Sequence, residues 1–496
     1  MASPSVVRGH EEIWFKALKW SKALGSRAIL LPFERFELPE RGWRDMERLE
    51  LSQELGRDIL AMAKSQGASQ GDVVMVESDS FFVTVRMGEV EKISQAQEKR
   101  LGLRLFFGSS SASASTSDIS KKSIARLVED TTRMARATAQ DPNSGLPATE
   151  KLAQEIPELD LLDADARSIP VGEKIQMALA AEKAALAYDP RITNSEGGEF
   201  SNQFGRVIYV SSHGFSGEYE GSTFGHSVAP VAAQNGSMQR DYWYSSNRKF
   251  SKLESPKKVG EKAAQRVLRR LGARKVKTCE VPIVFDPEIA ASLLRNLSSA
   301  ISGYSLYKGA SFLLDKLGTQ IASEFVTVID DGTIPAGLGS RPFDAEGLPT
   351  TKKIIVEKGR LQSYLLDTYS GRKLGMGSTG NASRSVGEPP GVAPSNFYLT
   401  PGTQSADEII ASVKQGFFVT ELIGFGVNMV TGDYSRGACG LWIEDGELSY
   451  PVEEVTIAGN LKEMFQNIEM VGADLEMRGR IAAPTIKISQ MTVAGN

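Results

Sequence analysis

The chain has 496 residues, 57 Lys+Arg against 61 Asp+Glu for a formal net charge of −4, and ordinary hydrophobic (41%) and charged (24%) fractions. That length exceeds one typical domain, so two or three are expected, with enough apolar residues for a sizeable core. The balanced charge argues against a surface tuned throughout to nucleic acid or anionic lipid, and 3 His leave few ligands for a hydrolytic metal centre.

Residues 1–45 hold three of the five tryptophans (Trp14, Trp20, Trp43) and a Pro-punctuated stretch, Pro32 to Pro39. They read as an N-terminal extension: a docking arm, a loosely attached segment, or the product of an upstream start. A helix is predicted from Met46 to Lys64, with Leu51, Leu55, Ile59 and Met62 in one stripe. The period then changes to two. Val73–Glu77, Ser80–Arg86, Val90–Gln95 and Arg100–Phe107 read as separate strands of an antiparallel meander, and the Ser-Ala alternation over 109–117 as another strand. Ser120 caps a helix with Ile124, Leu127, Val128 and Thr131 on one face.

A second αβ unit follows: an Ala-rich helix over 172–188, hairpin strands within 192–213, a Gly/Ser-rich stretch over 214–236, and an amphipathic helix over 257–271. Cys279–Phe285 opens a region of Gly-punctuated strands, with helices near 287–300 and 406–414. The expected class is α+β. The parts are 1–45, 46–150 and 151–276 as two αβ parts of one N-terminal domain with an antiparallel sheet, and 277–496 as a mostly-β domain.

The search for chemistry is mostly negative. His10-Glu11 has Trp14 where a second helical ligand should stand, and His213 and His226 lie in a Gly-rich stretch without helical spacing, so both read as ordinary turn or surface histidines. Gly432–Gly437 approximates a nucleophile elbow but is one residue too long, and no His follows Ser435. Cys439 equally lacks a partner base, and Gly424-Phe425-Gly426 lacks the third Gly of a dinucleotide loop. The acidic groups Asp330-Asp331, Asp344/Glu346, Asp433 and Glu444-Asp445 are read as β-turn residues rather than paired carboxylates or an oxygen-only metal site. Lys252 to Lys277 contains ten Lys or Arg against Glu254 and Glu261. Lys257, Lys258, Arg266, Arg269, Arg270 and Arg274 could contact phosphates, but the adopted reading is a solvated helix face. Two cysteines cannot form a disulfide framework, no apolar run is long enough to span a membrane, and the N-terminus lacks a signal-peptide core, so the cytoplasm is expected.

Specific strings carry further. They include Val90-Glu91-Lys92-Ile93-Ser94, Gly303 to Lys308 (GYSLYK), Ser311 to Gly318 (SFLLDKLG), Phe343 to Gly347 (FDAEG), Tyr369 to Gly375 (YSGRKLG) and Ser378 to Asn381 (STGN). Thr431 to Gly437 (TGDYSRG), Val455 to Leu461 (VTIAGNL) and Met491 to Gly495 (MTVAG) follow in order. Over roughly 46–496 the chain resembles the TldD/PmbA family, also labelled modulators of DNA gyrase, in its PmbA (TldE) branch. The resemblance implies a heterodimeric zinc peptidase acting on unfolded or small peptides. In it the TldD-type chain holds zinc through H-E-x-x-x-H and a later Cys. Here Leu293 to Ser302 stands at that motif's place with no His and no acid, Glu476 to Ala483 has no Cys, and Cys439 belongs to a different string. The implied role is a non-catalytic subunit with no metal or cofactor of its own, partnered by a TldD-like chain or by itself. Ser378, Thr379, Asn381, Asp433 and Ser435 are candidates to face the peptide. The rival readings are a self-sufficient peptidase built on His213 or His226, and a regulator binding nucleic acid through 252–277.

Overall fold

The computed structural model describes residues 49–495; the predicted extension over 1–45 lies outside the described residues. Helix α1 (Gln53–Ser65) starts later than its apolar stripe suggested, because the Ser52 side chain accepts from the Leu55 N–H at 3.1 Å and caps it there. Strands β1 (Gln70–Arg86) and β2 (Glu89–Phe107) follow, joined by Met87-Gly88, both at positive φ (51° and 83°) as a two-residue hairpin turn requires. The sequence broke each of them in two; both are continuous. Ser78-Asp79-Ser80, which resembles a turn, is paired in register with Ala96 to Glu98 of β2 on one side and with Gln203 to Gly205 of β4 on the other.

Next come β3 (Ser110–Thr116), α2 (Lys121–Ala137), α3 (Val171–Leu186), β4 (Ile192–Ser211), β5 (Ser216–Gln234), β6 (Ser237–Arg240), β7 (Trp243–Asn247) and α4 (Pro256–Leu268). The expected hairpin within 192–213 is instead one strand, β4, whose hairpin partner is the Gly/Ser-rich stretch as β5. All seven strands form one antiparallel sheet in the order β3-β2-β1-β4-β5-β6, with β7 also on β5. Helices α1 and α2 cover one part through Leu55, Ile59, Ile124 and Val128 against Val73, Met75, Leu101 and Leu103. Helix α3 lies so close to β4 that a Cβ at Gly198 would sit 2.6 Å from the Ala178 carbonyl oxygen.

The C-terminal region comprises β8 (Cys279–Phe285), α5 (Pro287–Ala300), α6 (Gly303–Tyr307), β9 (Val328–Asp331), β10 (Lys352–Glu357), β11 (Arg360–Leu361) and α7 (Thr368–Lys373). It continues through β12 (Ala382–Ser383), β13 (Gly391–Val392), β14 (Asn396–Leu399), α8 (Ala406–Ala411), β15 (Gln415–Ile423), β16 (Asp433–Glu444) and β17 (Glu447–Asn460). Last come α9 (Leu461–Gln466), β18 (Ile468–Val471), β19 (Ile481–Ala482) and β20 (Ile486–Ala494). Strands pair in the order β17-β16-β15-β8-β20, and β17 pairs back onto β20, closing a ring. A second sheet runs β11-β10-β9-β14-β19. Helix α5 starts where expected, with Asp286 as N-cap and Pro287 in its first turn, and joins the largest core through Leu293, Leu294 and Leu297. The fold is α+β.

Where α3 meets α4, a Cβ at Gly260 would lie 2.4 Å from the Ala181 carbonyl oxygen. Gly260→Val should therefore lower the unfolding free energy by about 1–3 kcal/mol in urea titration. An unchanged midpoint would contradict this close crossing.

Candidate functional site

Helix α5 occupies the place where the resemblance puts the zinc motif. Leu293, Leu294 and Leu297 are each 1% exposed and Ala300 is fully buried. These side chains pack with Ile283, Phe285, Val419 and Ile486, so the inward face of the helix is apolar core rather than a ligand set. The Ser298 hydroxyl bonds back to the Arg295 carbonyl at 2.9 Å. The two described histidines do not supply an alternative. His213 Nδ1 lies 2.8 Å from the Pro147 carbonyl oxygen, whereas His226 is buried with Nε2 2.8 Å from the Glu254 carbonyl oxygen. Burial lowers the His226 pKa, with the Glu254 carbonyl opposing. Among the described residues no three His, Cys, Asp or Glu stand together as a metal site. Zinc therefore does not fit the residues present at α5 or at these histidines.

The candidate peptide-facing residues fall into two groups. Ser378, Thr379 and Asn381 surround the loop after α7. Ser378 donates to the Leu366 carbonyl at 3.2 Å, and the Leu366 N–H donates to Thr379 Oγ1 at 2.8 Å. Asn381 is fully buried and donates to Asp330 Oδ2 at 2.8 Å. Asp330, also fully buried, accepts from the Ser395 N–H at 2.6 Å and pairs with Lys353 Nζ at 3.2 Å. It ties β9, β10 and the turn before β14 together, so it is a structural hub rather than the turn residue expected. Asp433 and Ser435 stand on β16 in the other sheet and are exposed. Asp433 accepts from Thr431 and from Asn460 Nδ2 (3.1 Å), bonds that hold its carboxyl below the usual range. Beside them, Phe425 at the tip of the β15–β16 loop is 99% exposed.

A buried charge cluster that sequence reasoning missed joins the two regions. Asp72 on β1 accepts from Arg104 Nε at 3.0 Å, from the Tyr209 hydroxyl at 3.2 Å and from Arg384 Nη1 at 2.7 Å. Burial pushes its carboxyl up, but Arg104 and Arg384 outweigh it and hold the carboxyl below its ordinary value. Arg104 also lies 3.7 Å from Glu346 Oε1, whose other oxygen accepts from the Thr368 N–H at 2.8 Å. Asp344 caps its own loop, accepting from the Glu346 and Leu348 N–H groups and from Ala382 N. Glu346 is pushed up to about 7 by burial; Arg104 opposes, and Asp344 and Asp367 add to the rise.

The basic segment is in part the solvated face expected, with Lys252, Lys257, Lys258, Lys262, Arg274, Lys275 and Lys277 exposed, but three of its arginines turn inward. Arg266 is 5% exposed, with Nε 3.3 Å from Asp241 and Nη1 3.5 Å from Asp286, the N-cap of α5. Arg270 reaches Glu421 at 2.5 Å, and the Arg274 guanidinium lies 3.5 Å from the Tyr450 ring centre. Burial, then Arg266, lowers Arg269 to about 10. Arg266, Arg269 and Arg270 spend their charge inside the molecule, whereas Arg274 is exposed.

The same architecture recurs in known proteins. Residues 71–135, 164–271 and 278–495 match, respectively, domain 1, the central domain and the C-terminal domain of the PmbA/TldA metallopeptidases. The chain is 40% identical over 436 residues to Metalloprotease PmbA of Escherichia coli O157:H7, covering 88% of this chain and 94% of that one. It is 38% identical, with the same coverage, to a PmbA homolog of Haemophilus influenzae. A crystal structure from Bacteroides thetaiotaomicron, named as a candidate modulator of DNA gyrase, superposes with a TM-score of 0.84 at 29% identity over 90% of this chain and 99% of that one. TldE of Thermococcus kodakarensis shares the fold, with a TM-score of 0.81 at 22% identity over 88% and 99%. The protein belongs to the PmbA/TldA metallopeptidase family.

Glu346 makes stability depend on pH. Its folded pKa of about 7 lies above the ordinary 4.5, so the native state holds the proton more tightly. The linked stability is complete below about pH 4.5 and is lost as pH rises through about 7. Glu346→Gln should remove this slope, shifting the difference in unfolding free energy toward the variant by on the order of 1–3 kcal/mol from pH 5 to 7.5. Parallel pH profiles in denaturant titrations would contradict the assignment.

Proposed function

We propose that this chain is the companion subunit, without zinc of its own, of a two-chain metallopeptidase that cleaves unfolded or small peptides in the cytoplasm. One observation carries the reading: the helix where the family resemblance places the metal motif is filled by Leu293, Leu294 and Leu297 packed into the core. Such a chain contributes shape and polar contacts rather than a reacting group. An extended peptide is held through its backbone amides, which need only an accessible strand edge or polar loop. Asp433 and Ser435, exposed beside the apolar tip at Phe425, are the surface this chain offers to it. Asn381 is committed to Asp330 and supports the loop that presents Ser378 and Thr379. The partner is a TldD-type chain bearing H-E-x-x-x-H.

Peptidase assays on an unfolded protein substrate test this. The chain alone should show no cleavage, and mixing it with a TldD-type partner should raise activity well above that of the partner alone. Cleavage by this chain alone, lost on replacing His213 and His226, would establish the self-sufficient alternative instead.

A further inference from the structure

Helices α1 and α2 lie side by side, starting together and ending together. At the near end the Leu49 N–H donates to the Ile119 carbonyl at 3.4 Å; at the far end Arg136 Nη2 donates to the Gln66 carbonyl at 2.6 Å. Between them runs an open groove of about 630 Å³. It follows α2 from Lys122 past Ala125 and Arg126 to Arg133, with Met62 of α1 as an apolar wall. The helix rises about 17 Å over that stretch.

The groove is unfinished in two ways. Met62 belongs by its spacing to the apolar stripe of α1, yet it is 37% exposed while Leu55 and Ile59 are buried. The first turn of α2 carries Lys121 and Lys122 and no acid, which is unfavourable at the positive end of a helix dipole. Arg126 and Arg133 stand on the same side of the helix, both pinned by Asp130 and both mostly exposed.

The chain carries a segment that complements each feature. It enters the described residues at Leu49, beside the Lys122 end of the groove. Trp43 stands six positions earlier, with Asp45 and Glu47 between. Six residues reach at most about 20 Å, so the indole stays within one groove length of that end. An indole packs favourably on a thioether and under a guanidinium. The fold already uses the second pairing, with Arg266 and Arg478 lying 5.2 and 4.5 Å from the Trp243 ring centre. Asp45 and Glu47 supply the negative charge that the start of α2 lacks.

We propose that Trp43 docks in the α1–α2 groove of its own chain, between Met62 and the guanidinium groups of Arg126 and Arg133, with Asp45 and Glu47 at the Lys122 end. The extension over 1–45 is thereby a docking arm anchored on the helices that cover the N-terminal sheet. This role is independent of any metal or peptidase activity.

Limited trypsin digestion of the full native chain tests it, because Arg41 and Arg44 flank Trp43 and a docked segment resists nicking. Cleavage after Arg41 should be at least about tenfold faster in Trp43→Ala and in Ala125→Glu than in the wild type, and close to wild type in Trp43→Phe. Far-UV circular dichroism should be unchanged throughout, and the wild-type protection should not depend on protein concentration. Equal cleavage in the wild type and Trp43→Ala would overturn the proposal. So would protection that survives Ala125→Glu, which places Trp43 elsewhere, or protection lost on dilution, which gives the groove to another molecule.

Discussion

The structure turns on one buried carboxylate. Asp72 lies on the central strand β1 with no exposure to solvent, and two arginines and a tyrosine converge on it. Arg104 and Tyr209 come from the neighbouring strands, and Arg384 arrives from the C-terminal region, 312 positions away. Removing one partner of such a buried group leaves an uncompensated charge, which costs far more than the pairing itself contributes. The cluster therefore fixes how the N-terminal sheet meets the loops around Glu346 and Arg384. A second charged seam, from Arg266 to Asp241 and Asp286, joins α4 to the start of α5. Between them these contacts set the position of α5 and of the loop from 378 to 384.

Much of this was legible in the amino-acid sequence where the physics is local. The cap Ser120, the apolar stripe of α1, the helix near 287–300 and the strand at Cys279–Phe285 each follow from a few neighbouring residues; the Ser52 cap, which starts α1 later than its stripe, was not read. Strand continuity was not, because Ser78-Asp79-Ser80 has turn composition and only its partners across the sheet hold it extended. Glycine content misled in β4 and β5 for a related reason. Gly198 is required by the approach of α3, not by a bend.

The charged residues failed to announce themselves for the opposite reason. The lysines at 257, 258 and 262 form the solvated face the pattern suggests, yet Arg266 and Arg270 beside them turn to Asp241, Asp286 and Glu421, placed by the tertiary fold. Asp330, Asp344 and Glu346 sit in turn-like strings but are buried and bonded at long range or within their own loops. Of the five residues singled out as peptide-facing, Asn381 is internal, Ser378 and Thr379 shape a loop, and Asp433 and Ser435 are exposed. The sequence contained no pattern that separates these roles; only burial does.

Family membership and the core packing of α5 meet in one proposal: this chain works in a metallopeptidase without holding zinc itself, since among the described residues neither α5 nor the histidines offer a ligand set. Zinc stoichiometry by elemental analysis, on the chain purified alone and dialysed against metal-free buffer, tests it most directly. The account predicts near zero zinc per chain. About one tightly held zinc per chain would contradict it, since neither α5 nor the two described histidines offers a ligand set.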